Sequence, residues 1–343
     1  MKRLILIILI GFTPILGFSQ GCEEPSEDGG IKLFGYIQPQ FDYNVDEGNT
    51  NSFNFNRARL GVTGVIPYDF SYYAVLEMSP SFNDARTPFL LDAYVSYNRF
   101  NWAKMALGQF KSPFSQELQT ACHKLTTINR SKSVLELASP LRDMGFMISG
   151  GNDTTIVKYQ LAVMNGTGLN TLDDNTGKDF VGRVVIQPLD FLQIGGSYRY
   201  GTGAPQEADL PDDTHMRYGF ETQIKFGAFL LQGEYIYGKD EGSYTEGGGC
   251  GGEVTVLQGD KERRGFYGMA SYMFDFGLQP VGKFEMYDND ISVDDKAEYI
   301  TTLGLNYFFN DWTRLQINYC LIQESAIEQI DNDRLAIQMQ IKF

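Results

Sequence analysis

The chain has 343 residues, a formal net charge of −15, a mean hydropathy of −0.24 and 45 phenylalanine and tyrosine residues (25 and 20). This acidic excess argues against a nucleic-acid-binding protein, because such proteins carry basic patches that neutralise phosphates. After the first twenty residues no run of about 18 apolar residues occurs, which excludes an ordinary membrane-spanning helix.

The N-terminus has the features of a secretory signal. Lys2 and Arg3 precede a short, nearly continuous apolar stretch over 4–16, which is too short to span a membrane. We expect cleavage after Ser19, leaving a short acidic segment over 20–30 and one domain over 31–343. Cys22 leaves lipidation open as an alternative, although Ser19 stands where a lipoprotein signal prefers a residue like leucine.

Apolar and polar residues alternate from residue 31 to the end of the chain. A strand shows successive side chains to opposite faces, so each such segment has one apolar and one polar face. In the last segment the apolar set includes Leu335, Ile337 and Met339, between polar Gln338 and Gln340. The pattern predicts sixteen strands, over 31–44, 52–66, 69–79, 89–98, 102–110, 144–150, 155–164, 179–188, 191–201, 214–226, 228–239, 263–274, 277–288, 297–308, 312–324 and 331–343.

Short turns and long polar loops alternate between these strands, as in bacterial outer-membrane barrels. We therefore predict an all-β protein, a sixteen-stranded antiparallel transmembrane β-barrel that contacts outer-membrane lipid and has both chain ends on the periplasmic side. Sixteen strands would leave an aqueous channel. The longest loop covers about 111–143, and the next, over 240–262, contains a glycine-rich run typical of a flexible outer loop.

Sorting the charges by strand face changes the meaning of the acidic composition. If the apolar set faces lipid, thirteen basic residues point inward: Lys32, Arg57, Arg59, Lys104, Lys158, Arg183, Arg199, Arg217, Lys225, Lys283, Arg314, Arg334 and Lys342. Seven acidic residues do so: Asp42, Glu77, Asp92, Glu221, Glu234, Glu285 and Glu298. The rest of the acid lies mainly in the N-terminal segment and the outer loops.

The longest loop is also basic. It carries Lys111, Lys124, Arg130, Lys132 and Arg142 against three acidic residues. Folded into the lumen it would add positive charge at the narrowest point, where low-dielectric walls focus the field and favour anions. The alternative is a plain polar lining whose charges pair across the lumen. Arginine nevertheless offers a planar, permanently charged fork suited to phosphate or carboxylate.

Several segments resemble the phosphate-selective porin O and P family. The most specific is LGQFKSPFSQE over 107–117, and NRARLGV over 56–62 is another. Further matches, in order along nearly the whole mature chain, lie at 34–40, 129–131, 140–145, 163–166, 232–235 and 279–285.

The resemblance implies a sixteen-stranded porin, usually a homotrimer, with the loop over 111–143 folded into the pore. It also implies passive diffusion of small anions such as phosphate, without cofactor or catalysis. The resemblance extends an anion-guiding role to Arg57, Arg59 and Lys111, which lie in matching motifs. The charge pattern adds the remaining candidates for the anion path: Lys124, Arg130, Lys132, Arg142, Arg183, Arg199 and Lys283.

Three other functions remain open. A barrel enzyme needs a nucleophile beside a base, and the only histidines, His123 and His215, lie in no recognisable motif. An energised transporter of large ligands would need a plug domain, for which residues 20–30 are too few. A general, sugar or peptide porin without phosphate selectivity is the closest alternative. The four cysteines match no zinc spacing, and at most one loop disulfide is expected.

Overall fold

The computed structural model describes residues 30–45, 50–83, 87–152, 154–203, 212–247, 254–325 and 331–343. The predicted signal over 1–19, nearly all of the acidic segment, Cys22 and Cys250 lie outside these ranges. Of the two cysteines within them, Cys122 is buried, Cys320 is half-buried, and neither forms a disulfide.

Sixteen strands form one closed antiparallel barrel, as the alternation predicted. They are β1 (Ile31–Asn44), β2 (Asn51–Ile66), β3 (Phe70–Glu77), β4 (Phe89–Tyr97), β5 (Lys104–Lys111), β6 (Arg142–Gly150), β7 (Val157–Met164), β8 (Asp179–Leu189), β9 (Leu192–Gly203), β10 (Asp213–Phe226), β11 (Phe229–Glu241), β14 (Lys261–Tyr272), β15 (Leu278–Asp288), β16 (Ala297–Phe308), β17 (Thr313–Glu324) and β18 (Arg334–Lys342). Two further strands, β12 (Ser243–Gly247) and β13 (Val254–Gln258), form a separate hairpin between β11 and β14.

The barrel closes because β1 pairs with β18 as well as with β2. Tyr36 lies opposite Lys342, and Asn44 lies opposite Arg334. Gln338 and Gln340 are buried inside, whereas Ile341 on the other face of β18 is exposed. The period-two pattern of the last segment therefore reflects an apolar outer side and a polar interior side.

The connections alternate in length along the barrel. Tight turns join β2 to β3, β8 to β9 and β10 to β11, and both ends of the barrel chain lie at this end. The opposite end carries the long connections, among them residues 112–141 between β5 and β6. We refer to these two ends as the short-turn end and the long-loop end.

The sequence pattern did not predict the structure within the long loops. A short helix α1 (Ser79–Asn83) follows β3. Residues 112–141 contain α2 (Gln116–Gln119), a single 3₁₀ turn over Cys122–Lys124, and α3 (Lys132–Leu137). These helices are too short to show a helical period. Among the described residues, no helix is both long and apolar enough to cross a membrane.

Candidate functional site

Residues 112–141, here called the inner segment, lie across the inside of the barrel. Their backbone and side chains bond to inward side chains on strands spread around most of the wall, from β9 and β11 to β17, β18 and β2. Phe114, Leu118, Val134 and Leu137 of this segment are completely buried in one apolar cluster with barrel residues such as Met147. The segment therefore narrows the interior and sets its lining.

Glu234 of β11 holds the start of α2. Its carboxylate accepts hydrogen bonds from the Ser115 hydroxyl and the Glu117 N–H, each at 2.6 Å, and from the Tyr267 hydroxyl at 3.1 Å. Ser115 is the N-cap residue of α2 and has a φ of 63°, a conformation rare for a residue other than glycine. A wall carboxylate thus fixes a strained turn at the first bend of the inner segment.

The middle of the inner segment is held by its main chain. Ile128 N–H donates to Asn318 at 2.7 Å, and the side chains of Asn306 and Gln316 donate to the carbonyl oxygen of Thr126 at 2.8 and 3.4 Å. Gln340 donates to the carbonyl oxygen of His123 at 3.2 Å. These wall amides also bond to one another, so this side of the interior is a neutral polar network.

The last part of the inner segment is anchored by β15 and β16. The backbone N–H of Lys132, at the start of α3, donates to Glu285 at 2.7 Å, and the Lys132 ammonium lies 2.6 Å from Glu298. The carboxylate of Glu117 accepts a hydrogen bond from the Ser131 N–H at 2.7 Å, which links the two helices.

Arg199 of β9 joins the two ends of the inner segment. Its Nη atoms donate to the Ser112 hydroxyl at one end and to the carbonyl oxygens of Ala138, Ser139 and Pro140 at the other. The residue is 1% exposed, and its Nε lies 3.7 Å from Asp179. One planar guanidinium thus bonds to both ends of the inner segment at once, which the compact ammonium group of a lysine could not do.

Arg57 and Arg59, two apart on β2, both point inward and are 5% and 4% exposed. Arg59 forms an ion pair with Glu77 at 2.6 Å and donates to the Cys122 sulfur at 3.1 Å. Arg57 donates to Gln38, to the Ile128 carbonyl oxygen and to Asn129. Within the described chain the partners of Arg57 are neutral, so no carboxylate offsets its charge.

Three more predicted cations lie within the inner segment or at the strand ends that flank it. Lys111 donates to carbonyl oxygens of Gln119 and Thr120 at 3.3 and 3.4 Å, and Arg130 donates to three carbonyl oxygens of residues 117–120. Arg142 forms a two-bond ion pair with Asp92 at 2.9 and 3.3 Å. Through these contacts all three residues help to hold the inner segment in place, in addition to any effect on the electrostatic potential of the interior.

The remaining candidates separate into paired and solvent-facing groups. Arg183 is paired with Glu221 at 2.5 Å, and Lys283 lies 3.3 Å from Glu285. Lys132 is about one-third exposed. Lys124 is the exposed member of the set, and it would be the most accessible to a solute.

The strand pattern missed one charge cluster near the long-loop end. Arg217 and Arg263 both bond to Asp240 of β11, and Arg217 lies directly opposite Arg199 in the register of β9 and β10. Arg263 and Asp240 were absent from the predicted inward sets because they lie at strand ends, where the face is hard to assign. Carboxylates of this kind reduce the cationic excess expected from the sequence.

At the short-turn end the charges are one-sided. Within the four residues of each described strand that lie nearest this end, every inward charged side chain is basic. These side chains are Lys32, Lys104, Lys158, Lys225, Arg314 and Lys342. Arg314 donates to the Leu125 carbonyl oxygen and to Gln340, both neutral. The inward charged side chains therefore change from mixed acidic and basic sets near the long loops to an all-basic set near the short turns.

Comparison with known proteins gives a consistent picture. A family model described as phosphate-selective porin O and P matches residues 34–343. Comparison with curated protein sequences gives no match.

Among solved structures, OmpF of Salmonella typhi in complex with daunomycin superposes with a TM-score of 0.68 at 13% identity, covering 94% of this chain and 100% of that one. The outer-membrane channel DcaP of Acinetobacter baumannii gives 0.68 at 13%, covering 93% and 99%. The trimer form of OmpT, an outer-membrane protein of Vibrio cholerae, gives 0.66 at 10%, covering 92% and 99%.

Proposed function

This chain belongs to the phosphate-selective porin O and P family and is an outer-membrane channel; we propose that it lets small anions of the phosphate class diffuse passively, with a preference over cations. The observation that carries the proposal is that all six inward charged side chains at the short-turn end of the described strands are basic. Low-dielectric walls focus such a field, and rings of lysine and arginine favour anions.

Within this proposal the predicted cations have two kinds of role. Lys124, Arg57 and Arg314 supply positive potential along the path, because they are either exposed or bonded to neutral groups. The second kind position the inner segment or balance wall carboxylates: Arg59, Lys111, Arg130, Lys132, Arg142, Arg183, Arg199 and Lys283.

Reversal potentials across a planar bilayer with a KCl gradient test the preference. We expect anion preference for the wild type and a clear loss of it when Arg57→Gln and Arg314→Gln are combined, because two uncompensated cations disappear. Lys239→Gln is the matched control, since Lys239 is half-buried on the outer face of β11, away from the interior, and pairs with Glu241. Cation preference in the wild type would refute the proposal.

A general porin for neutral solutes is the second candidate, supported by the amide network of Gln316, Gln338, Gln340 and Asn306. Amides can bond to sugar hydroxyls, but here their hydrogen bonds already join one another and the inner segment. Liposome swelling separates the two, because equal rates for neutral sugars and organic anions of similar size would favour the general porin.

An enzymatic function is the weaker reading of the two histidines. His123 is buried on the inner segment, and His215 lies 2.8 Å from Asp179 near the long-loop end. Neither has a serine, threonine or cysteine among its hydrogen-bond partners in the described structure.

We further propose a homotrimer, which native mass spectrometry of the purified protein tests directly.

A further inference from the structure

An apolar hollow of about 670 Å³ lies on the outer face of β6 to β10. Gly182 of β8 and Gly196 of β9 form its floor. Leu161 and Val184 form one wall, and Tyr198 and Phe220 form the other; all four are between 42% and 63% exposed. The register places Gly182 between Leu161 and Tyr198, and Gly196 between Val184 and Phe220.

The backbone does not require glycine at either floor position. Neither residue has a positive φ. A Cβ on Gly196 would come no closer than 3.6 Å to its nearest neighbour, and one on Gly182 would meet only the flexible end of Leu161, at 3.0 Å. At Gly108, by contrast, a Cβ would lie 2.2 Å from a neighbouring backbone oxygen. Glycine weakens a strand interior and often marks close approach by a ligand.

The surroundings favour a lipid chain over a protein partner. The outward positions of β6 to β10 carry apolar, tyrosine, threonine and glycine residues, with no charged or amide side chain between the strand ends. The hollow lies at mid-height of the barrel wall, since Gly182 is close to the long-loop end of β8 whereas Gly196 is closer to the short-turn end of β9. It is continuous with the lipid-facing band of an outer-membrane barrel.

We propose that this hollow binds one fatty acyl chain of a membrane lipid and holds it longer than the surrounding bilayer lipid. The site crosses five strands, or about 19 Å at roughly 4.8 Å per strand spacing, so it suits a long, thin, apolar group. The proposal does not depend on anion selectivity, and conductance should be the same with the site filled or empty.

Native mass spectrometry tests this with protein reconstituted in phosphatidylglycerol vesicles and then extracted in mild detergent. We expect the wild type to retain one lipid per barrel, and the combined variant Gly182→Leu and Gly196→Leu to lose it at least fivefold, because leucine side chains fill the floor. The control is Gly268→Leu with Gly282→Leu, two outward glycines on β14 and β15 that also have open space above them. It should retain lipid like the wild type.

Two results would overturn the proposal. One is equal lipid retention in the filled and wild-type proteins. The other is a change of oligomer size in the filled variant with lipid retention unchanged, which would identify the hollow as a contact between copies.

If the filled variant does not fold, Tyr198→Trp in a chain whose native tryptophans carry Trp102→Phe and Trp312→Phe gives a second measurement. Its fluorescence should be quenched at a lower fraction of lipid with brominated chains than that of Tyr299→Trp, on the outer face of β16. Identical quenching curves would refute a preferred site.

Discussion

Replacing Arg199 by lysine separates a positional role from a purely electrostatic one. Lysine keeps the positive charge, but its ammonium cannot reach both Ser112 and the carbonyl oxygens of 138–140. Leaving buried acceptors without a donor costs about 1–3 kcal/mol each. Losing one end of the bridge should therefore weaken docking of the inner segment by about 3 kcal/mol.

A loss of that size has a measurable kinetic counterpart. Because 1.4 kcal/mol corresponds to a factor of ten, amide hydrogens of the inner segment should exchange about a hundredfold faster in Arg199→Lys. Single-channel conductance should rise and become noisier, since the segment no longer holds one position.

Arg217→Lys is the matched control, because Arg217 lies opposite Arg199 on β10 but bonds to Asp240 and to backbone oxygens of the wall. It should leave exchange in residues 112–141 unchanged. Wild-type conductance and exchange in Arg199→Lys, with loss of anion preference only in Arg199→Met, would show that the charge alone matters and would refute the bridging role.

Three further outcomes follow from the same structure. Lys124→Glu should shift the reversal potential toward cations, because Lys124 is exposed on the inner segment; Lys239→Glu on the outer face should leave it unchanged, and equal shifts would count against a local effect. Gly108→Ala should prevent barrel assembly, because φ is 137° and a Cβ would collide with the backbone of the neighbouring strand β4. Gly282→Ala has open space and should assemble normally, as judged by gel mobility before and after heating. Burial, together with the nearby charge of Lys124, lowers the pKa of His123 to about 3, so the imidazole is neutral from pH 8 to 5. His123→Phe should therefore show the same dependence of selectivity on pH as the wild type over that range. A difference between the two proteins near pH 6.5 would contradict this.

Strand positions and faces were accessible from the sequence because alternation follows directly from strand geometry. The segment predicted over 144–150 is a strand, β6, and Arg57 and Arg199 point inward as their neighbours implied. What alternation cannot provide is the partner of an inward side chain. Arg199 bonds to residues about 60 and 87 positions earlier in the chain.

The interior of the long loops was less accessible for a different reason. Helices of four to six residues such as α2 and α3 have no detectable period, and their positions depend on wall carboxylates far away in sequence. The strands β12 and β13 pair on either side of a glycine-rich run, in a loop whose composition predicted only flexibility. Local pattern therefore describes the wall, whereas tertiary contacts determine what crosses it.

The barrel wall holds residues 123–128 through hydrogen bonds to their backbone peptide groups. The wall side chains that form these bonds are Gln340, Asn306, Gln316 and Asn318. A backbone peptide group is the same whichever side chain its residue carries. Substitutions in this stretch can therefore change the side chains that contact a solute without breaking the hydrogen bonds that hold the stretch to the wall. Natural variants of this channel could thus drift in solute preference over generations while inheriting an unchanged frame.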